Sequence, residues 1–330
     1  MIYDDIKNFQ RQFEYEPLVE NASKLPAWLK SAKPAAKKFV VCGMGGSHLA
    51  ANILKAWHPE LDIIVWPNYG LPPLHEKEMK ERLVIVSSYS GNTEEAIDAL
   101  TVARTKKLSV AVIAAGGKLI RSAQKLKAPY VAMPDFHFQP RLALGLSLRA
   151  MLAVMGEKHL LAETTDLLSQ LHPSREEPHG RELAKRIHGG VPVIYASARN
   201  AAMAQNWKIK FNETGKIPAF WNVVPEMNHN EMTGFDAKAK TLPLARHFHF
   251  IFLKDADDDR RVTKRMSVLE RLLRDRGLTS EVVLMQGKTR IHKLFNVLNL
   301  GDWTAYYTAK MYDVDPEQVP MVEEFKRLAK

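Results

Sequence analysis

Ser87-Ser88-Tyr89-Ser90-Gly91-Asn92-Thr93-Glu94-Glu95 concentrates hydroxyls, a glycine and a helix start in one short stretch. Before it, Leu83-Val84-Ile85-Val86 reads as a fully buried strand; after it, Ala96, Ile97, Leu100 and Ala103 fall at helical spacing. The hydroxyls therefore sit on a strand-to-helix turn, where orphan backbone N–H groups and the positive end of a helix dipole favour an anion. Gly91 lets the backbone approach a phosphate, and Ser88, Ser90 and Thr93 wrap its oxygens without adding charge. An ordinary capped turn, with Ser90 or Thr93 as N-cap, is the simpler alternative. So many hydroxyls beside Gly91-Asn92 favour the phosphate cradle.

Val40-Val41-Cys42-Gly43-Met44-Gly45-Gly46-Ser47 is again a buried strand running into a turn, here glycine-rich. Its glycine spacing is not that of a dinucleotide fingerprint, and the Gly-Lys-Ser/Thr of a Walker loop is missing. Paired with the serine loop, Gly45, Gly46 and Ser47 supply the second wall of one crevice. Further along, Asn212-Glu213-Thr214-Gly215-Lys216-Ile217-Pro218-Ala219 leads to Val223-Val224-Pro225-Glu226-Met227-Asn228-His229-Asn230-Glu231. Glu213 ends a helix, and His229 sits on a loop just after a buried strand. In an open α/β sheet ligands gather outside the carboxyl ends of the strands, so His229 lies where a catalytic group belongs. Without context, a solvated glutamate and a capping histidine are the commoner roles. His48, His58, His75 and His137 show no ligand spacing and read as structural.

These groups need elements to hold them. The opening residues to about Lys30 read as helical and peripheral. Strands are then expected at 39–42, 63–66, 83–87, 110–114 and 130–133, with helices after most of them and a closing helix over 141–155. Pro173 to Gly180 is polar and reads as a linker. The rhythm restarts with strands at 191–195, 220–224, 249–253 and 281–285 and helices over 200–212 and 262–276. Such alternation predicts an α/β fold with parallel, doubly wound sheets. The charged run from Lys254 to Arg261 reads as a solvated loop or helix start.

A chain of 330 residues with 25% charged and 46% hydrophobic residues is ordinary globular material. The N-terminus has no basic n-region or apolar h-region, and no apolar run is long enough to cross a bilayer, so a cytoplasmic location and no membrane partner are expected. Cys42, the single cysteine, excludes an internal disulfide and a cysteine-rich zinc site. The net charge of +10 invites a nucleic-acid reading. Its basic residues are scattered, however, among them Lys33, Lys37, Lys38, Arg260 and Lys264, and no DNA-binding motif precedes the first strand. No nucleic acid is expected; the charge helps to attract an anionic substrate.

The serine loop resembles the phosphosugar-binding loop of sugar isomerase (SIS) domains, Ser-x-Ser-Gly-x-Thr followed by acidic residues. The stretch from Asn212 to Glu231 resembles the bifunctional phosphoglucose/phosphomannose isomerase branch, Asn-Glu-x-x-Lys-x-Pro-Ala and then Pro-Glu-x-x-His-Asn-Glu. Further matches are Gly43 to Ser47, Pro140-Arg141, Leu300-Gly301-Asp302-Trp303, Val314-Asp315-Pro316 and Phe325-Lys326. The resemblance implies two SIS subdomains, each a flavodoxin-like parallel sheet sandwiched by helices. The expected extents are 1–156 for the first, 157–190 for a helix and linker, and 191–330 for the second.

It also implies an aldose–ketose isomerase of glucose 6-phosphate, with mannose 6-phosphate open as a second substrate. By this resemblance Glu213 is the base that moves a proton between C1 and C2, and His229 opens the sugar ring. Arg141 carries the charge that stabilises a cis-enediolate, and Lys326 matches the lysine that assists ring opening. Ser47, Ser88, Ser90 and Thr93 anchor the phosphate. No cofactor or metal is expected, and the implied assembly is a homodimer that shares His229 across its interface. Glu317-Gln318 stands where the family often has a small hydroxyl and a proline after Asp315-Pro316, which bears on epimer tolerance. A non-catalytic phosphosugar sensor and an isomerase of amino-sugar phosphates are the alternatives.

Overall fold

The computed structural model describes residues 1–30, 37–136, 138–236 and 238–329; Lys33 and His137 lie outside them. After α1 (Ile2–Lys7) the chain divides into two compact units, Phe9–Leu171 and Met1–Asn8 with His172–Lys330.

The unit Phe9–Leu171 runs β1 (Lys38–Cys42), α2 (Gly46–Trp57), β2 (Asp62–Trp66), α3 (Glu76–Lys80), β3 (Leu83–Ser87) and α4 (Glu94–Thr105). It continues with β4 (Val110–Ala114), α5 (Gly117–Leu126), β5 (Tyr130–Ala132), α6 (Leu144–Met155), α7 (Lys158–Thr165) and α8 (Leu167–Gln170). All five strands are parallel, in the order β2-β1-β3-β4-β5. The strands are near-continuous apolar runs because parallel strands bury both faces; Val84, Val86 and Val112 pack with Ala96, Leu100 and Leu119 from the flanking helices. The strand order reverses between β1 and β3, which opens a crevice at their carboxyl ends. The opening segment is not peripheral: Phe9 and Phe13 are buried, and the Gln12 amide donates to the Leu142 carbonyl at 2.8 Å while accepting from the Gly145 N–H at 2.9 Å. A 3-10 turn over Phe9–Glu14 sets both rings on the side that faces this unit's core.

The other unit contains α9 (Pro173–Ile187), β6 (Val191–Ser197), α10 (Ala201–Glu213), β7 (Phe220–Val224), α11 (Leu242–Ala245) and β8 (Phe248–Lys254). It ends with α12 (Arg260–Asp275), β9 (Thr279–Leu284), α13 (Arg290–Met311) and α14 (Pro320–Leu328). The parallel order β7-β6-β8-β9 repeats the first four positions of the larger sheet. Pro173 to Gly180, expected as a linker, is instead the first half of α9. Pro173 serves at the helix start, where its missing N–H is harmless, and Gly180 seats Trp303, whose Cβ would lie 2.4 Å from a Cβ at position 180.

Two further expectations change. β7 is an edge strand rather than a buried one, with Phe220 54% and Trp221 37% exposed. The run from Lys254 to Arg261 does lead into a helix start at Arg260, and Asp257 and Asp259 are exposed, but its other two carboxylates are not solvated. Asp255 and Asp258 are buried: Asp255 pairs with Arg290 at 2.5 Å and Lys293 at 3.1 Å, and Asp258 accepts from Ser197 at 2.7 Å and Asn200 at 3.0 Å.

Candidate active site

Within Phe9–Leu171, the two loops read as crevice walls meet at the carboxyl ends of β1 and β3. The Ser47 hydroxyl accepts the Tyr89 N–H at 3.0 Å, tying the glycine turn to the serine loop. A Cβ at Gly43 would lie 2.6 Å from the Ser87 carbonyl oxygen, so only glycine lets the turns approach this closely. Thr93 occupies the N-cap position of α4, yet its hydroxyl does not cap the helix. It lies 2.7 Å from the Ser88 hydroxyl, which in turn accepts the Gly91 N–H at 3.2 Å. The Ser90 hydroxyl, on the exposed side, accepts from the Asn92 N–H at 3.2 Å. Gly91 has φ +66°, and a Cβ there would fall 1.9 Å from the Gly116 carbonyl oxygen.

Arg141 reaches the same place from the far end of the unit. A Cβ at Gly46 would lie 2.5 Å from the Pro140 carbonyl oxygen and 2.8 Å from the Arg141 nitrogen. The Arg141 side chain is buried, and its guanidinium donates to the Gln139 side chain at 3.2 Å. The helix expected to begin at Arg141 begins at Leu144, so Arg141 belongs to a turn whose Leu142 and Ala143 N–H groups fold back on Gln139 and Pro140. Gly45, Gly46, Ser47, Ser88, Thr93 and Arg141 are thus gathered at one switch point, with Ser90 at its rim. Cys42, the buried last residue of β1 just before the glycine turn, has its thiol pushed up to about 12 by burial.

Glu213, His229 and Lys326 belong to the other unit and stand on three separate elements. Glu213 is the last, half-buried residue of α10. The chain turns sharply after it, with Lys216 at φ +59°. The Lys216 amine donates to the Glu213 carbonyl at 2.5 Å and to the Gln318 carbonyl, so it caps the helix rather than reaching outward.

His229 is exposed on the loop after β7. That loop is riveted to the sheet by Glu231, which accepts from the buried Tyr195 hydroxyl at 2.6 Å and from the Asn222 amide. Burial, and then the bond to Glu231, push the Tyr195 phenol well above its ordinary range, which keeps it a donor. Asn230 braces the loop through Glu226 at 2.9 Å. Tyr195 and Asn222 carry no signal in sequence, since each reads only as part of a strand. Lys326 lies on the exposed helix α14 and pairs with Glu323 at 2.7 Å.

Residues 176–328 match the family described as the bacterial phospho-glucose isomerase C-terminal SIS domain. The chain is 33% identical to a bifunctional phosphoglucose/phosphomannose isomerase of Caldicellulosiruptor bescii, over 88% of this chain and 88% of that one. The chain belongs to the bifunctional phosphoglucose/phosphomannose isomerase family. A second member, from Aquifex aeolicus, is 29% identical over 98% of this chain and 97% of its own length. Among solved structures, tagatose-6-phosphate ketose/aldose isomerase from Escherichia coli shares the fold, with a TM-score of 0.66 at 14% identity, covering 96% of this chain and 94% of that one.

Proposed function

We propose that this chain interconverts glucose 6-phosphate and fructose 6-phosphate, with mannose 6-phosphate as a second aldose. The observation that carries the reading is the convergence of Ser47, Ser88, Thr93 and Arg141 at the β1/β3 switch point in a chain of this family. The hydroxyls take the phosphate and fix the sugar's register. His229 moves the O1 proton to the ring oxygen as the C1–O5 bond breaks, and Lys326 assists. The Glu213 carboxylate then removes the C2 proton, the electron pair forms the C1–C2 double bond, and the charge gathers on O1. Arg141, charged at any working pH, stabilises that enediolate. Glu213 returns the proton to C1, and the O2 proton passes to O1 as the ketone forms.

A homodimer in which His229 of each chain serves the other chain's Glu213 completes the proposal. Purified protein incubated separately with glucose 6-phosphate, mannose 6-phosphate and glucosamine 6-phosphate should form fructose 6-phosphate from the first two only. Glu213→Gln should lower kcat by about 10²–10⁴ while sugar-phosphate binding holds. A variant retaining more than about a tenth of wild-type kcat would require another base.

A further inference from the structure

The Leu300-Gly301-Asp302-Trp303 stretch has a structural reading that reaches toward Glu213. Trp303 fills the space left by Gly180 and donates its indole N–H to the Pro173 carbonyl at 2.8 Å, locking α13 to α9. Gly301 admits the Trp207 indole of α10, which would lie 2.8 Å from a Cβ there and which donates to the Val297 carbonyl at 2.9 Å. One turn further along α10, the Lys210 amine forms an ion pair with Asp302, both residues only 1% exposed. The Lys210 carbonyl also accepts the N–H groups of Thr214 at 2.8 Å and Gly215 at 3.0 Å, the two residues that follow Glu213.

A fully buried ion pair is a poor device for stability, because desolvating two charges offsets their attraction and apolar residues of equal volume usually do as well or better. What it supplies is direction. A carboxylate and an ammonium held at hydrogen-bonding distance fix the rotation and axial position of the last turn of α10. An apolar contact tolerates sliding there. Proton transfer is sensitive to such placement, with a displacement of about 1 Å costing on the order of 10² in rate.

We infer that Lys210 and Asp302 are positioning residues for the isomerisation, acting through the last turn of α10 to hold the Glu213 carboxylate against the sugar's C1–C2 bond. This rests on the reading of Glu213 as the base.

The test compares wild type with Lys210→Met/Asp302→Leu, which fills the same space without charge, and with Asp302→Glu, which keeps the pair but lengthens one arm. The double variant is expected to melt at or above the wild-type temperature, to hold KM for glucose 6-phosphate within about twofold and to lose about 10- to 100-fold in kcat. Its kinetic isotope effect with C2-deuterated glucose 6-phosphate should rise, a change that a purely structural role would not produce. Asp302→Glu should show a smaller loss of kcat at unchanged KM. Wild-type kcat and isotope effect in either folded variant overturns the inference, and so does a double variant that cannot fold, since the pair would then serve the fold. Glu213→Gln is assayed alongside. If it stays active, the base assignment has failed; if it is dead while the double variant is fully active, only the role of Lys210 and Asp302 has failed.

Discussion

Asp255 and Asp258 lie side by side in the second unit, yet their environments push them apart. Burial pushes the Asp255 carboxyl up, but the Asp257 N–H, Lys293 and Arg290 outweigh it and hold the carboxyl below its ordinary range. Burial also pushes Asp258 up, the like charge of Asp255 adds to this, and bonds from Ser197 and Asn200 with the charge of Arg290 offset it only partly. The signs follow from linkage. Asp255, depressed in the folded state, contributes stability above its unfolded pKa that is lost as pH falls through the folded value. Asp258, raised in the folded state, weakens the fold as pH rises from its unfolded pKa to its folded one. Asp258→Asn keeps an oxygen for Ser197 and Asn200 and removes that charge. Its melting temperature should exceed wild type at pH 8, with the gap closing toward pH 4. Thermal melts across this range check it; a gap that widens on acidification would contradict the assignment.

At the scale of elements, Gly46 decides how closely the start of α2 can approach the turn before α6. The contact atoms are the Pro140 carbonyl and the Arg141 nitrogen, which are backbone and cannot swing aside. Gly46→Ala should therefore displace Arg141, costing about 1–3 kcal/mol of stability and lowering kcat by more than tenfold, measured by thermal melts and initial rates. Most strands of both units were legible in sequence because parallel strands form unbroken apolar runs, and the crevice at the β1/β3 switch point because hydroxyls and glycines cluster locally. The elements that escaped are held by partners far away in sequence. Asp255 meets Arg290 and Lys293 across 35 and 38 positions, so its run reads as solvated. The polar side of α9 hides Gly180 and its Trp303 knob, and β7 reads as buried because periodicity does not reveal which strand lies at an edge. The rivet of Glu231 to Tyr195 and Asn222 is likewise invisible until the strands are placed side by side.

At the scale of the whole molecule, the proposed sharing of His229 makes a sharp demand. Glu213→Gln and His229→Ala proteins, each inactive alone, should regain activity when mixed and allowed to exchange subunits. One of the two sites in each heterodimer would be intact, so a random mixture should recover about a quarter of wild-type activity. No recovery after exchange verified by mass spectrometry would refute the shared site. The end of β1, beside the proposed phosphate crevice, has a practical use of its own. Cys42 is the chain's sole thiol, fully buried at the last position of β1 and held protonated by its surroundings. A thiolate-seeking reagent reaches it only when that strand end opens, so the rate of alkylation is a built-in clock for transient opening of the unit Phe9–Leu171. A sugar phosphate that seats on Gly43 to Ser47 should slow the clock in proportion to its occupancy, which turns one native cysteine into a measure of affinity that needs no introduced probe.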